Sequence, residues 1–499
     1  MIHSTTCSLC LFLILLIGVQ PILAQDDSLG REPLTLSSEI GGSIATASET
    51  PFWLRVNQFG SVPQKTPFLF AKLFGEALVG LDPQKCQWSF RTEMMMSLNE
   101  GRHLVLPEAV ITFQYRGLEI YAGRRKEIIG LIDTLLSSGS YSWSGTALPL
   151  PKIHIGTRGF LPLGFTKGFV SVQGTFAHGW FGKQQFTFDY YLHQKTAFFR
   201  LGKPKHKLKF FAGITHFAQW GGYAPYVGSG IADTNGNLPK SFRDFLYVVF
   251  ATDAPRGNNL SLYDSENRVG NHVGSIDIAL QYNKNNSDWL LYYQRPVENQ
   301  AGIAHNFPDG LYGLRWMNKK RKAISWLNIQ HITAEYLTTL DQNLSYDSKA
   351  DIYRGDDYFN NSQYLDGWTY KQHAIGSPFI SLRTDTRLEW FNLKGSYAEG
   401  VYRQINNSSV RAFYLGLQGA IKNNNQFKIR LSANFLYIDY NVTTGIYGSP
   451  INQLSGYFEY IRKIQTLKGS TISVIVAKDQ GNWLSNSSAI TIRFKQRFK

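Results

Sequence analysis

Apolar and polar residues alternate along most of the chain. In Val273–Tyr282 (VGSIDIALQY), Ile276, Ile278, Leu280 and Tyr282 fall on one face, and Ser275, Asp277, Ala279 and Gln281 on the other. In AFYLGLQGAI, Phe413, Leu415, Leu417 and Ile421 share a face. In FKIRLSANF, Phe427, Ile429, Leu431 and Phe435 oppose Lys428, Arg430, Ser432 and Asn434. Period-two alternation is the signature of a strand with two different surroundings. A wholly apolar face opposite Lys, Arg and Asn suits a strand with lipid outside and water inside. The competing reading is a soluble β-sandwich, whose strands also alternate.

One segment breaks the period. In SFRDFLYVVF, Phe242, Phe245, Leu246 and Val249 recur at helical spacing. Ser241 with Asp244 three residues on forms a capping signal, and Pro239 precedes it. The pattern predicts a short helix inside a long connection from Trp220 to Asn271.

The other connections sort by length. Short turns are expected at Leu467–Ser470, Lys422–Gln426, Thr384–Arg387, Asn318–Lys322 and Asn283–Asp288. Long ones fall between them, including Leu340–Ala374 and Gln294–Gly310. Short turns on one side and long loops on the other are the habit of outer-membrane barrels. The count comes to roughly eighteen to twenty strands of about ten residues, inside the barrel range. The expected fold is therefore an all-β transmembrane antiparallel barrel of about eighteen strands, with long outer loops and one short helix. The terminal strand AITIRFKQRFK alternates Ile490, Ile492, Phe494 and Phe498 against Thr491, Arg493, Lys495 and Arg497. It resembles the C-terminal signal read by the barrel assembly machinery, although Phe498 is penultimate.

Composition adds the compartment. Residues 1–24 read as a cleaved secretory signal, with an apolar run Cys10–Val19 and Ala24 at the cut. Beyond it Cys86 is the one cysteine, so no intrachain disulfide is available. Residues 25–49 form a polar lead-in, and 50–499 the barrel. The mature part contains no second long apolar run for a helical span. Aromatics reach 14% of residues, with Tyr 27 and Phe 33, enough for girdles at both membrane interfaces. A formal charge of +15 must then sit in the lumen or loops. There it either attracts anionic partners or is spent in pairs with luminal carboxylates.

Longer strings carry a family resemblance. TPFWLRVNQFGSVP (Thr50–Pro63), AGRRKEIIGL (Ala122–Leu131), GSYSWSGTALPLPKI (Gly139–Ile153), YLHQKTAFFRLG (Tyr191–Gly202), DGLYGLRW (Asp309–Trp316) and DDYFNNSQYLDGWTYKQHAIGSPF (Asp356–Phe379) resemble the Wzi family of capsule assembly proteins. The likeness runs from Thr50 to the C-terminus. It implies a barrel of about eighteen strands acting as a non-catalytic surface lectin, with capsular or exopolysaccharide and outer-membrane lipid as partners. It transfers no individual sugar-contacting residue.

Candidate contacts come from chemistry. Sugar sites pair aromatic faces with planar polar groups. Tyr141 and Trp143, Trp180, Trp220, Tyr364 and Trp368 supply the aromatics, and Arg124 and Arg125 the cations. The alternative is that these aromatics pack the outer loops into a lid. His178, Tyr191 and His193 stand near Trp180, and Tyr223 and Tyr226 follow Trp220. Gly139–Ile153 belongs to the outer connection Arg125–Pro151, with Pro149 and Pro151 returning the chain to the wall. No zinc spacing and no Gly-x-Ser-x-Gly elbow occurs, so no enzyme, metal or cofactor is expected. The acidic YDSKADIYRGDDYFNN has oxygen ligands for calcium but lacks the EF-hand register. No nucleic-acid partner is expected, and the barrel is expected to be a monomer. A general or anion-selective porin is the alternative function.

Overall fold

The computed structural model describes residues 33–498, apart from 81–85, 100, 229, 234, 254–260, 262, 265–267, 299–305, 320–326, 341–345, 348–351, 354–356, 394–395, 397–399, 422–424, 439 and 442–445. The expected signal segment 1–24 lies outside these residues, as do 348–351 and 354–356 of the acidic stretch from Tyr346.

Period-two alternation becomes one closed antiparallel sheet. Its long strands are β1 (Leu34–Ala45), β2 (Phe68–Val79), β3 (Cys86–Leu98), β4 (Arg102–Tyr115), β5 (Leu118–Arg124), β6 (Lys152–Thr157), β7 (Val170–Gly182), β8 (Tyr190–Leu201) and β9 (Leu208–Trp220). They continue as β10 (Asn271–Lys284), β11 (Ser287–Val297), β12 (Gly310–Asn318), β13 (Leu327–Thr338), β14 (Val410–Ile421), β15 (Asn425–Leu436), β16 (Ile451–Lys463), β17 (Ser470–Gly481) and β18 (Ser487–Phe498). Each pairs with the next, and β18 closes on β1 from Leu36↔Phe498 to Ala45↔Ala489. Closure removes the unpaired sheet edge.

Burial follows the expected parity. Ile278, Leu280 and Tyr282 of β10 face outward and exposed, while Ser275 and Asp277 are buried in the lumen. Leu431 is exposed outside β15, and Arg430, Ser432 and Asn434 are buried within. Two rows of aromatics stand on the outside of β11–β14. Trp289 and Trp316 lie near the short turns, with rings 6.3 Å apart. Tyr293, Tyr312, Tyr336 and Phe413 form a run near the opposite rim, with successive centroids 4.5, 6.1 and 4.9 Å apart.

Two expectations need correcting. The polar lead-in 25–49 contains β1, so the barrel starts before Thr50. Its outward row, Leu34, Leu36, Ile40 and Ile44, is interrupted by Ser38 and Gly42, which weakens the alternation there. The expected turn Thr384–Arg387 joins no barrel strands. It holds a 3-10 helix, Arg383–Asp385, inside one connection that runs from β13 to β14. Its polar residues mimic a turn but pack against the barrel rim: Arg387 N donates to Trp483 O, and Thr386 bridges to Leu484.

The long connections hold the four-residue helix α1 (Phe52–Arg55) and helix α2 (Phe242–Phe250). Helix α2 carries the expected capping box. Asp244 N donates to Ser241 Oγ, and Ser241 N donates to Asp244 Oδ2 at 2.8 Å.

Candidate functional site

The connection 125–151 leaves β5 at the long-loop rim and enters the barrel. Acidic and amide side chains on the luminal face accept its backbone N–H groups, which would otherwise be buried unpaired. Leu131 N donates to Asp277 Oδ2 at 2.7 Å, Ser138 N to Glu335 Oε2 at 2.7 Å, and Tyr141 N to Gln294 Oε1 at 2.8 Å. Asp133 Oδ2 meets His331 Nε2 at 2.8 Å and also accepts from Thr333. These partners lie on β10, β11 and β13, so the segment spans the lumen from β5 to the opposite wall. Gly416 of β14 permits its closest approach: an added Cβ would stand 2.7 Å from Leu136 Cγ. Gly130 holds φ +138, and a Cβ there would meet Gln294 Nε2 at 2.2 Å.

A second layer closes over this plug. Trp368 Nε1 donates to Ser142 O at 2.7 Å, Ser144 N to Ile375 O at 2.7 Å, and Ser377 N to Tyr141 O at 2.7 Å. From the other side Asn57 Nδ2 donates to Ser138 O at 2.7 Å, and Trp53 Nε1 donates to Ser432 Oγ at 3.1 Å. The outer aromatics fill the space between the layers. Trp143 lies 5.0 Å from Phe217 and 6.0 Å from Trp368, and Tyr141 lies 5.2 Å from Phe359.

The eight candidate residues therefore separate into three groups. Tyr141, Trp143, Tyr364 and Trp368 are all buried, none above 4% exposed, inside the packed lid. Arg124 and Arg125 sit at its base. Arg124 donates to Pro149 O at 3.1 Å and Tyr370 Oη at 3.0 Å; Arg125 pairs with Glu119 at 2.6 Å and stacks 3.9 Å over Tyr121. Trp180 and Trp220 stand elsewhere, on the outward wall of β7 and β9, because their even-numbered positions there point away from the lumen. They flank helix α2, which packs against the outside of the wall, with Phe245 5.2 Å from Trp220. Beneath the helix lie His178, His193, His216 and His272 from four adjacent strands, and Lys195 donates to Val249 O. Tyr223 and Tyr226, at 41% and 44% exposed, are open at the loop surface beside Phe186 and Phe188.

The luminal cations are largely spent. Lys126 pairs with Glu93, Lys152 with Glu127, Arg315 with Asp288, and Arg493 with Glu459 and Glu39. Burial pushes the Glu127 carboxyl up, but the charges of Lys152 and Arg125 more than reverse this and hold it at about 2.

A solved barrel shares this architecture: Wzi, an outer membrane protein involved in group 1 capsule assembly in Escherichia coli, a carbohydrate binding β-barrel. It aligns at TM-score 0.54 and 10% identity, over 91% of this chain and 83% of that one. The chain is an outer-membrane β-barrel. OccK5 (OpdH) of Pseudomonas aeruginosa aligns at TM-score 0.46 and 8% identity over 93% and 98% of the two chains; OccD3 (OpdP) of the same organism aligns at 0.42 and 10% over 96% and 95%. These likenesses are of fold. No protein-family model and no curated protein matches the sequence. For an outer-membrane barrel, the short turns face the periplasm and the long connections the exterior. The outward histidines of β7–β10 thus lie toward the external rim.

The residues that anchor the plug, Asp133, Asp277, Gln294 and Glu335, were not among the sequence candidates. For Asp277, Gln294 and Glu335 the signal was a carboxylate or amide on the luminal face of a strand, where a bare solvated wall does not need one; Asp133 lies in the plug itself.

Proposed function

We propose that this outer-membrane barrel, like the Wzi barrel it resembles in fold, binds surface polysaccharide on its external face and helps hold it at the cell. It makes and breaks no bond and works as a monomer. The supporting observation is the plug: residues 125–151 cross the lumen on hydrogen bonds from Leu131, Ser138 and Tyr141 to three wall strands. A fixed plug opposes diffusion through the barrel and leaves binding as its work. The external platform is Tyr223 and Tyr226, exposed rings beside Phe188 and Phe186, with Lys183 Nζ 5.0 Å over the Phe188 ring, an aromatic and polar mixture suited to a sugar. Wzi, with the same barrel, is itself a carbohydrate binding protein.

Two measurements test this. In planar bilayers the wild-type barrel passes no steady current, and excision of residues 128–147 opens one. In cells, a Tyr223→Ala/Tyr226→Ala variant that still folds sheds polysaccharide into the medium. A steady wild-type current would make the protein a porin. Unchanged cell-bound polysaccharide in cells lacking the protein would remove the binding role.

A further inference from the structure

On the periplasmic side of the plug the lumen holds a cavity of about 420 Å³. This falls within the range of small-molecule sites, about 300–1,000 Å³. Its ceiling is the plug segment from Arg125 to Thr134. Its walls come from one level of eight neighbouring strands, β5 to β12, each contributing residues near its periplasmic turn.

The charges around it are already matched. Arg125 pairs with Glu119 at 2.6 Å and Glu127 at 3.5 Å, Lys126 with Glu93, and Arg315 with Asp288. An incoming anion would have to displace one of these internal carboxylates, and leaving a buried charge unpaired is costly. The uncommitted groups are neutral. Gln173 has a side-chain amide with no partner among the described residues. Gln194 spends only its oxygen, on Lys152 Nζ at 2.7 Å. His154 is 3% exposed and stacked on Tyr121 at 4.3 Å, an imidazole face at the cavity wall. Against these stand apolar ring surfaces, Phe160 and Phe211, meeting edge to face at 5.4 Å. Unpaired amides beside aromatic carbon match a ligand with hydroxyls on one side and C–H groups on the other.

We propose that this cavity is a second binding site, for an uncharged sugar of mono- or disaccharide size entering from the periplasm. It is separate from the external face and stands whether or not that face binds polysaccharide.

The test uses the full-length barrel in detergent, titrated by calorimetry with maltose, lactose and trehalose and with the carboxylate lactobionate. At least one neutral disaccharide binds saturably, and lactobionate binds at least about tenfold more weakly, as expected where an anion must break an ion pair. Phe160→Ala and Gln173→Leu each weaken the neutral sugar by about tenfold, the effect of one lost stacking or hydrogen-bonding group. Their heat-modifiable gel migration stays that of the wild type. The Tyr223→Ala/Tyr226→Ala barrel keeps this affinity. The proposal is overturned by absence of saturable heat with all three neutral sugars, by a preference for lactobionate, by unchanged binding in both cavity variants, or by loss of binding in the external variant alone.

Discussion

Two connections leave the external rim with similar ingredients and end in opposite places. Both 125–151 and 221–270 mix aromatics with Gly, Pro and small polar residues. The first turns inward and becomes the plug; the second turns outward and lays α2 on the wall. What differs is the surface each one meets. The luminal face offers Asp277, Gln294 and Glu335, acceptors that suit an irregular backbone with free N–H groups. The outward face of β7–β10 offers imidazoles, Trp180 and Trp220. A backbone there needs its own hydrogen bonds satisfied internally, because lipid supplies none. Hence the inward segment is irregular and the outward one is a capped helix. The secondary structure of each connection is chosen by its surroundings as much as by its own residues.

The comparison can be broken at three points. The largest effect is expected from Asp133→Ala. It removes the acceptor shared by His331 and Thr333 and leaves them a 3.3 Å contact with each other, a loss of about 1–3 kcal/mol. The heat-modifiable transition should fall, and brief openings should appear in bilayer recordings. A silent, fully stable variant would mean that the plug does not depend on its wall anchors.

A pH series gives an intermediate effect. The Glu127 carboxyl is held at about 2 in the fold against 4.5 for the free group. A group held low stabilises at any pH above its unfolded value, and that stabilisation is lost as pH falls through the folded one. The wild-type transition should therefore hold steady down to about pH 5 and drop from there toward about pH 2. Glu127→Gln should start lower and drop less. Parallel curves would remove Glu127 from the plug's support.

Ser241→Ala is the smallest change. Losing the cap costs about 1 kcal/mol, and only α2 should notice. Trypsin should cut faster at Arg243, with bilayer current unaltered. A change in current would tie the outer helix to the plug and erase the contrast between the two connections.

Much of the fold was legible in the sequence. Alternation in stretches such as Val273–Tyr282 fixes which residues face lipid, and the Ser241–Asp244 box marks α2 as a helix. Strand β1 was obscured because Ser38 and Gly42 interrupt its outward apolar row. The turn at Thr384–Arg387 misled because polar loop residues look alike whether they cross a membrane face or pack on a rim. The site was less legible for a different reason. Tyr141 and Trp143 advertise aromatic chemistry, but exposure depends on what folds over them, and Trp368 and Phe359 come from more than two hundred residues away. The parity that placed Trp180 and Trp220 on strand ends also determined that they point outward, a step that a reading of loops alone does not take.

The outward histidines bear on membrane thickness. Along β9 the outward row runs Leu208, Phe210, Ala212 and Ile214 before it meets His216. At about 3.3 Å per residue and a tilt near 40°, that row spans roughly 15 Å, well short of the barrel's usual apolar band of about 25 Å. Helix α2 presents Phe242, Leu246 and Phe250 outward, at 76%, 39% and 67% exposed. A helix is about 10 Å across. In this sector the bilayer thus meets a wall of two materials, strand below and helix above, and the barrel reaches full hydrophobic height only when the loop comes back to lean on it.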